Sequence, residues 1–395
     1  MISVRSLWQC LALILVASVS WLQSSFAAHA TLPGQNGPFL LSAAVPASGG
    51  WNDPYYWHRI YVVGLDGSSK PISPVRSTYY GPGISPDGKR IVFSKNPGDQ
   101  LWLGARNDLT RAKQITFDSE EAHGAADPVF TPDGKAIYFT SWAEHSDTES
   151  AFRLARFWIK SGKAEYLTDT TVTNNSLSPA VSPNGKLIAY NTGDRDHSKI
   201  RIMRTDGSGS WVLDTPVSAF VGSFSPDGKR LVYTGRIDGG EEVFVSPVFG
   251  KGIKQLTFSG NLNYDPLFSP DASKIAFGMG FGFYSAIEIL DLETGLSREI
   301  QAPGRYVAPT QWVRRTMFRI KGYSRSSQTL KLRVYNPGTI VLSGHGTKRL
   351  RVSTGSRRIL KLRVRWRPRA RRAKLTVGFK PDGALAGSRK VTIRR

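Results

Sequence analysis

One short unit is written into this chain again and again: ISPDGKRIVF from Ile84, FTPDGKAIYF from Phe130, VSPNGKLIAY from Val181, FSPDGKRLVY from Phe224 and FSPDASKIAF from Phe268. Its prolines, Pro86, Pro132, Pro183, Pro226 and Pro270, are 46, 51, 43 and 44 residues apart. A period of roughly 40 to 50 residues is that of a propeller blade with four strands. Within the unit, Asp-Gly or Asn-Gly supplies residues that tolerate positive φ in a tight turn, and a lysine follows in solvent. Alternating apolar residues such as Ile91 and Phe93, or Ile137 and Phe139, then begin a strand with one buried face.

A second strand pair follows each unit, at Leu101, Ala155, Ile200, Glu242 and Ala286, and one more begins at Ile60 with no such unit before it. That makes six outer hairpins against five inner ones. The missing inner strands stand at the two ends of the repeat region: PFLLSAAV at Pro38 and VAPTQW at Val307. Pairing them completes one blade from both ends and closes the ring, leaving no exposed sheet edge.

These residues resemble the TolB-like six-bladed propellers built from WD40-like PD40 repeats, over about 38–312. The resemblance implies an all-β fold and a binding platform, since such propellers bind proteins, peptides or glycans and also stand beside hydrolase domains. It implies an Asp before the proline of each innermost strand, near the central channel. Here only Asp127 and Asp265 fill that place, and Gly81, Ser178, Val221 and Ala308 stand at the others. A second departure is Asp271-Ala272-Ser273, where the turn glycine is missing and a longer or strained turn is expected.

The repeated SPDG is turn chemistry, so function is expected in the loops. Trp51, Tyr55, Tyr56 and Trp57 fall in one connection, Tyr79 and Tyr80 in the next, and Phe281, Phe283 and Tyr284 in the last blade. In a closed ring these blades are neighbours, so the aromatics form a candidate arc for a protein, peptide or glycan ligand. The opposite arc carries Asp118, Glu120, Glu121, His123, Asp127, Glu144, His145, Asp147, Glu149, Asp194, Asp196 and His197. No fixed ligand spacing runs through them, so they read as a solvated face; no metal and no cofactor is assigned. Glu241 and Glu242 read as an ordinary strand start.

There is no HExxH, no GxSxG elbow, no P-loop and no dinucleotide fingerprint. The alternative to a binding protein is a hydrolase or lyase acting on a glycan or peptide through histidines and acids of the propeller face. Arg5, an apolar run over 7–22 and SSFAAHA, with Ala28 and Ala30 in the small-x-small pattern, read as a signal peptide over 1–30. The single cysteine, Cys10, lies inside it. The expectation is therefore a secreted or otherwise extracytoplasmic monomer with no disulfide, no thiol chemistry and no transmembrane anchor.

The net charge of +23 has to be located before it means anything. Residues 316–395 hold 23 Lys and Arg against one acid, Asp382, leaving 30 basic (53 − 23) and 29 acidic (30 − 1) residues before them. Such a step marks a domain boundary near Arg315, giving a propeller over 31–315 and a second domain over 316–395. In that second domain Leu360, Leu362, Val364 and Trp366 alternate with Lys361, Arg363 and Arg365, and LKLRVY, RLRVS, KLTVGF and KVTIRR repeat the scheme. It reads as a small antiparallel β-sandwich with a cationic outside, and it resembles the basic immunoglobulin-like modules at the C-termini of secreted bacterial proteins. Lys361, Arg363, Arg365, Arg367, Arg369, Arg371 and Arg372 are the candidates for binding anionic cell-wall or envelope polymers.

Overall fold

The computed structural model describes residues 31–32, 34–46, 56–74, 77–96, 99–119, 123–146, 149–169, 176–193, 197–215, 218–237, 239–249, 251–281, 284–301, 303–315, 318–334, 338–345, 347–354, 359–364, 372–381 and 387–394. The signal-like segment lies outside them. Every regular element described is a strand, and none is a helix long and apolar enough to cross a membrane. The chain divides into two compact units, Pro38–Ser269 with Ser273–Val313, and Arg314–Arg395 with Leu32–Gly37 and Pro270–Ala272.

In the larger unit each repeat becomes a four-stranded antiparallel sheet. The 78–114 sheet orders Thr78–Ile84, Arg90–Asn96, Gln100–Ala105 and Asp108–Gln114. The 124–166, 176–212, 219–255 and 262–300 sheets repeat that order, and the last two are joined by one parallel bridge, Glu241 to Leu262. The 35–71 sheet is the exception: its first place is taken by Arg305–Arg315, which lies beside Gln35–Pro46, followed by Tyr56–Val63 and Ser69–Pro71. The two ends of the repeat region share one sheet, as the count of inner and outer hairpins required.

Apolar residues on the faces of these sheets meet in successive pairs. Leu40 and Ile60 pack with Tyr79, Ile91 and Phe93, Val92 and Leu101 with Phe130, Ile137 and Phe139, and Tyr138 and Leu154 with Val181 and Ile188. Ile200 and Ile202 then pack with Phe224 and Tyr233, and Val232 and Val243 with Phe268 and Ile275. A further cluster sets Ala276, Ile287 and Ile289 against Phe39, Leu41 and Trp312, so the circuit returns to the sheet where it began. Each fully buried aliphatic side chain contributes about 1.5–3 kcal/mol.

A second set of contacts crosses the same seams. Ser42 Oγ donates to the Tyr79 carbonyl at 2.8 Å, Ser94 Oγ to that of Ala125 at 2.9 Å, and Asn191 Nδ2 to that of Ala219 at 2.8 Å. Thr140 Oγ1 accepts from the Ser178 amide at 3.0 Å, and Ser223 Oγ from that of Phe268 at 2.9 Å. At the shared sheet the Thr310 hydroxyl lies 2.7 Å from the Pro82 carbonyl and 3.0 Å from that of Leu40. These groups are buried, so removing one partner leaves the other unsatisfied at a cost of about 1–3 kcal/mol.

The repeated turns are self-contained. In the first, Ser85 Oγ donates to Asp87 Oδ1 at 2.6 Å, the Lys89 amide donates to the same oxygen at 3.1 Å, and Ser85 Oγ accepts from the Arg90 amide at 2.9 Å. Thr131 with Asp133, Ser182 with Asn184 and Ser225 with Asp227 repeat it. The turn lacking glycine is no longer than the rest: Ala272 adopts φ 65°, where Gly88 and Gly228 have 72°, and the Lys274 amide still donates to Ser269 Oγ at 2.9 Å. The missing glycine is absorbed as backbone strain.

The smaller unit has two sheets, Phe318–Ser324 with Thr329–Val334 and Ile359–Arg363, and Leu350–Thr354 with Gly338–His345, Arg372–Pro381 and Gly387–Arg394. Leu330, Leu332 and Leu362 of the first share one apolar cluster with Ile340, Leu342, Leu375, Val377 and Ile393 of the second.

Two outcomes follow from this architecture. A chain ending at Arg315 keeps the melting temperature of the larger unit, whereas one ending at Gly304 loses the strand beside Gln35–Pro46 and melts clearly lower; equal melting temperatures would refute closure through that strand. Replacing Ala272 by Gly relieves a left-handed non-glycine residue and raises stability by about 1 kcal/mol in chemical denaturation.

Candidate functional site

The innermost strands share one irregularity. Between Tyr80 and Gly83, Ala126 and Val129, Leu177 and Ala180, Val221 and Ser223, and Tyr264 and Leu267, one extra residue opposes the neighbouring strand, a β-bulge in each case. At four of them the residue before proline takes positive φ: Gly81 (51°), Asp127 (50°), Ser178 (55°) and Asp265 (51°). Asp is one of the few side-chain-bearing residues that tolerates this region. At the fifth, Val221 does not adopt it and Gly222 stands where the others have proline; a Cβ there would lie 2.2 Å from the Pro266 carbonyl oxygen. Strain thus recurs at the ring's inner strands and aims the two aspartates.

Those aspartates have unequal surroundings. Asp127 Oδ2 accepts from Ser178 Oγ at 3.0 Å and Thr140 Oγ1 at 3.4 Å, linking the 124–166 and 176–212 sheets. Asp127 keeps part of its surface open but is enclosed by protein on nearly every side, and this burial raises its pKa to about 6 against the two hydrogen bonds. Asp265 is 5% exposed, and its Oδ2 is buried without a hydrogen-bond partner. Burial raises its pKa well above the usual carboxylate range, and the negative charges of Asp127 and Glu241 raise it further. A carboxyl so placed holds its proton or waits for a cationic group.

Glu241 and Glu242 are not the ordinary strand start that their sequence suggests. They are 8% and 4% exposed. Glu242 Oε1 accepts from the Gly260 amide at 2.6 Å, and its Oε2 accepts from the Thr257 hydroxyl and from Asn263 Nδ2 at 3.1 Å, pinning 257–263. Glu241 Oε1 lies 3.8 Å from Arg236 Nη2. The signal that could have exposed them is a charged pair set directly against the alternating Val243 and Val245 of a core strand.

The aromatic candidates are divided. Trp51, Tyr55 and Phe283 lie outside the described residues, while Phe281 and Tyr284 occupy opposite positions across a hairpin. Tyr56 and Trp57 are half-buried near the start of their strand. Tyr79 is core, packed edge-on to Phe93 at 5.5 Å. Tyr80 is half-buried, its ring 4.7 Å from that of His58, and burial followed by the Asp99 charge raises its pKa to about 12. Burial lowers His58 to about 4, leaving it neutral at physiological pH. Of the basic candidates Lys361 and Arg363 are exposed on either side of buried Leu362, and Arg372 begins a strand. Arg365, Arg367, Arg369 and Arg371 lie outside the described residues. Among the described residues no three His, Cys, Asp or Glu are placed to hold a metal ion.

Strained inner strands, self-contained turns and a shared terminal sheet define an all-β, propeller-type protein. A family model described as the TolB beta propeller domain, PD40, matches residues 144–336. The Tol-Pal system protein TolB of Francisella tularensis is 29% identical over 128 residues, which is 32% of this chain and 28% of that protein, so the match spans under a third of the relative's length. Among solved structures, TolB from Acinetobacter baumannii is similar with a TM-score of 0.56 at 18% identity, covering 70% of this chain and 67% of that one. An oligogalacturonate lyase in complex with manganese is similar at a TM-score of 0.50 and 14% identity, over 79% of this chain and 86% of that one. At such identities the likeness is one of fold.

The carboxyl pair has a measurable consequence. An acid whose pKa is raised on folding contributes stability that is fully present below its unfolded pKa, near 4, and lost as pH rises through the folded value. For Asp127 that window runs from about 4 to about 6. Asp265→Asn removes a carboxyl whose ionisation is opposed by burial and by the charges of Asp127 and Glu241, so it should stabilise the chain at pH 7.5 and change little at pH 4. Equal effects at both pH values, read by urea denaturation, would contradict the charge assignment.

Proposed function

We propose that this chain is an extracytoplasmic binding protein without catalytic activity. In this reading the 35–71, 78–114, 124–166, 176–212, 219–255 and 262–300 sheets are the blades of a six-bladed propeller, whose face, with Tyr56, Trp57 and Tyr80, recognises a protein, peptide or glycan. Residues 316–395 form an immunoglobulin-like, cationic β-sandwich that holds the protein to anionic envelope polymers. Two observations favour binding over catalysis at the propeller. His58 is a weak base at physiological pH, and of the inner carboxyls Asp127 accepts from the hydroxyls of Ser178 and Thr140 while the Asp265 Oδ2 has no hydrogen-bond partner, an arrangement unlike a nucleophile with its base.

The cationic assignment rests on one observation. Lys331 and Lys361 are direct cross-strand partners in an antiparallel pair, and both are exposed. Like charges set opposite one another destabilise a sheet by a few tenths to about 1 kcal/mol. Arg363 and Lys321 are exposed in the same sheet and add to the repulsion. A surface serving only solubility would gain from one acid in this place. The arrangement is instead suited to a ligand that brings its own negative charge.

Lys361→Glu separates the two roles. It turns a repelling pair into an attracting one, so it should leave the melting temperature of the full chain unchanged or higher while weakening its retention on heparin or duplex DNA. The slope of log K against log salt should fall by about one for each phosphate that the protein no longer neutralises. Unaltered retention and salt dependence in Lys361→Glu, and in the charge reversal of Lys331, Lys361 and Arg363 together, would leave the basic face without this function.

A further inference from the structure

At the outer rim of the larger unit, far along the sheets from their innermost strands, a groove of about 550 Å³ is lined by Arg204, Trp211, Val212, Asp214, Phe249 and Lys251, among others. Trp211 sits on Ser210–Val212, the outermost strand of the 176–212 sheet, opposite Ile202. Its inner side packs on the cluster of Leu213, Phe244 and Val248, and its Nε1–H donates to the Val248 carbonyl at 3.3 Å. The indole is therefore fixed before any ligand arrives. Phe249 follows directly on buried Val248 and lays its ring against the indole, with centroids 4.9 Å apart and planes 28° apart. Yet Phe249 remains 61% exposed, and Val212 beside it 46%.

This is a flat aromatic platform held rigid from below and left open above. The packing of its own core does not need it there, because Phe249 turns most of its surface to water. Exposed apolar surface rimmed by charge marks a site of interaction, and the volume lies within the roughly 300–1,000 Å³ of ligand clefts. The rim decides what the ligand is. Two cations, Arg204 and Lys251, stand against one carboxylate, Asp214. A guanidinium and an ammonium favour a carboxylate on the ligand, the guanidinium in a bidentate geometry. The aromatic face favours a saturated ring that presents C–H groups, and Asp214 can accept from hydroxyls. The groove is open along the rim, so the occupant can be a segment of a longer chain.

We infer that the Trp211–Phe249 groove binds a carboxylate-bearing sugar ring of an acidic polysaccharide. Phe249 supplies the stacking surface, Lys251 and Arg204 the countercharge, and Asp214 an acceptor for hydroxyls. An acidic peptide would use the same two cations, but it lacks the ring hydroxyls that Asp214 would accept from and the saturated ring that would lie on Phe249. The site uses no residue of the basic 316–395 region and neither inner carboxyl, and it stands if either of those readings fails.

The test uses the full chain and a tetrasaccharide alternating glucuronate with N-acetylglucosamine, titrated by calorimetry. The expected result is saturable binding that weakens about tenfold or more in Phe249→Ala and in Lys251→Glu, with melting temperatures unchanged because both side chains are exposed. The neutral tetrasaccharide of N-acetylglucosamine should bind at least about tenfold more weakly. Binding that survives Phe249→Ala would belong to another part of the chain, such as the basic C-terminal residues, and would overturn the assignment. Equal binding of the neutral sugar, tighter binding of a peptide alternating glutamate and phenylalanine, or no binding of the acidic tetrasaccharide would each overturn it as well.

Discussion

Everything in the larger unit depends on how each sheet is fastened to the next, and the fastening is of two kinds. Apolar clusters provide most of the energy, but they are forgiving about angle and register. The buried polar bonds from Ser42, Ser94, Thr140, Asn191, Ser223 and Thr310 are not. Each ties a side chain on one sheet to a backbone group near the bulge of the next, and a misplacement of an ångström would leave both groups buried and unpaired. The apolar seams make closure favourable, and the polar ones fix the rotation between sheets. Thr310 contributes to both ends of the circuit at once, which is why the strand that carries it matters more than its length suggests.

That fixed rotation makes the inner strands useful. A bulge with a left-handed residue before proline is a costly piece of backbone, and it recurs where the sheets converge. At Gly81 the cost is small, and at Val221–Gly222 the strand finds another route. At Asp127 and Asp265 the chain adds a second cost by burying carboxyl groups whose charges oppose one another. Strain and unfavourable charge coincide at these positions, and the fold carries them because its seams hold the strands regardless.

The sequence carried the architecture because the architecture is periodic. Five copies of the turn, with Ser or Thr and Asp or Asn at fixed places and Gly in four of them, reported hairpins of fixed length, and the mismatch between inner and outer hairpins located the closing strand. Ala272 shows the limit of such reading: its sequence announced strain or extra length, and only the structure distinguishes them. Functional residues were harder because they depend on which strands face one another. Glu241 and Glu242 look like any pair of surface acids until Arg236 is set near the first and Thr257, Gly260 and Asn263 are brought to the second. Tyr79 looks like its neighbour Tyr80, but strand alternation sends its ring into the core. Trp211 and Phe249 are 38 residues apart, in different repeats, and no local pattern connects them.

The two units keep their electrostatic strain in forms that solvent treats differently. The Lys331–Lys361 repulsion is exposed, and ions screen it over a Debye length of about 8 Å at roughly 0.15 M salt. The Asp265 carboxyl is buried, so mobile ions reach its field poorly and protonation is its main relief in the absence of a ligand. Salt therefore relaxes the smaller unit while it would compete with the polyanion proposed for it, whereas acid relaxes the inner carboxyls while it removes the charge that a cationic group would meet. In each unit the condition that relaxes the fold most is also the one that weakens the charge its candidate site presents.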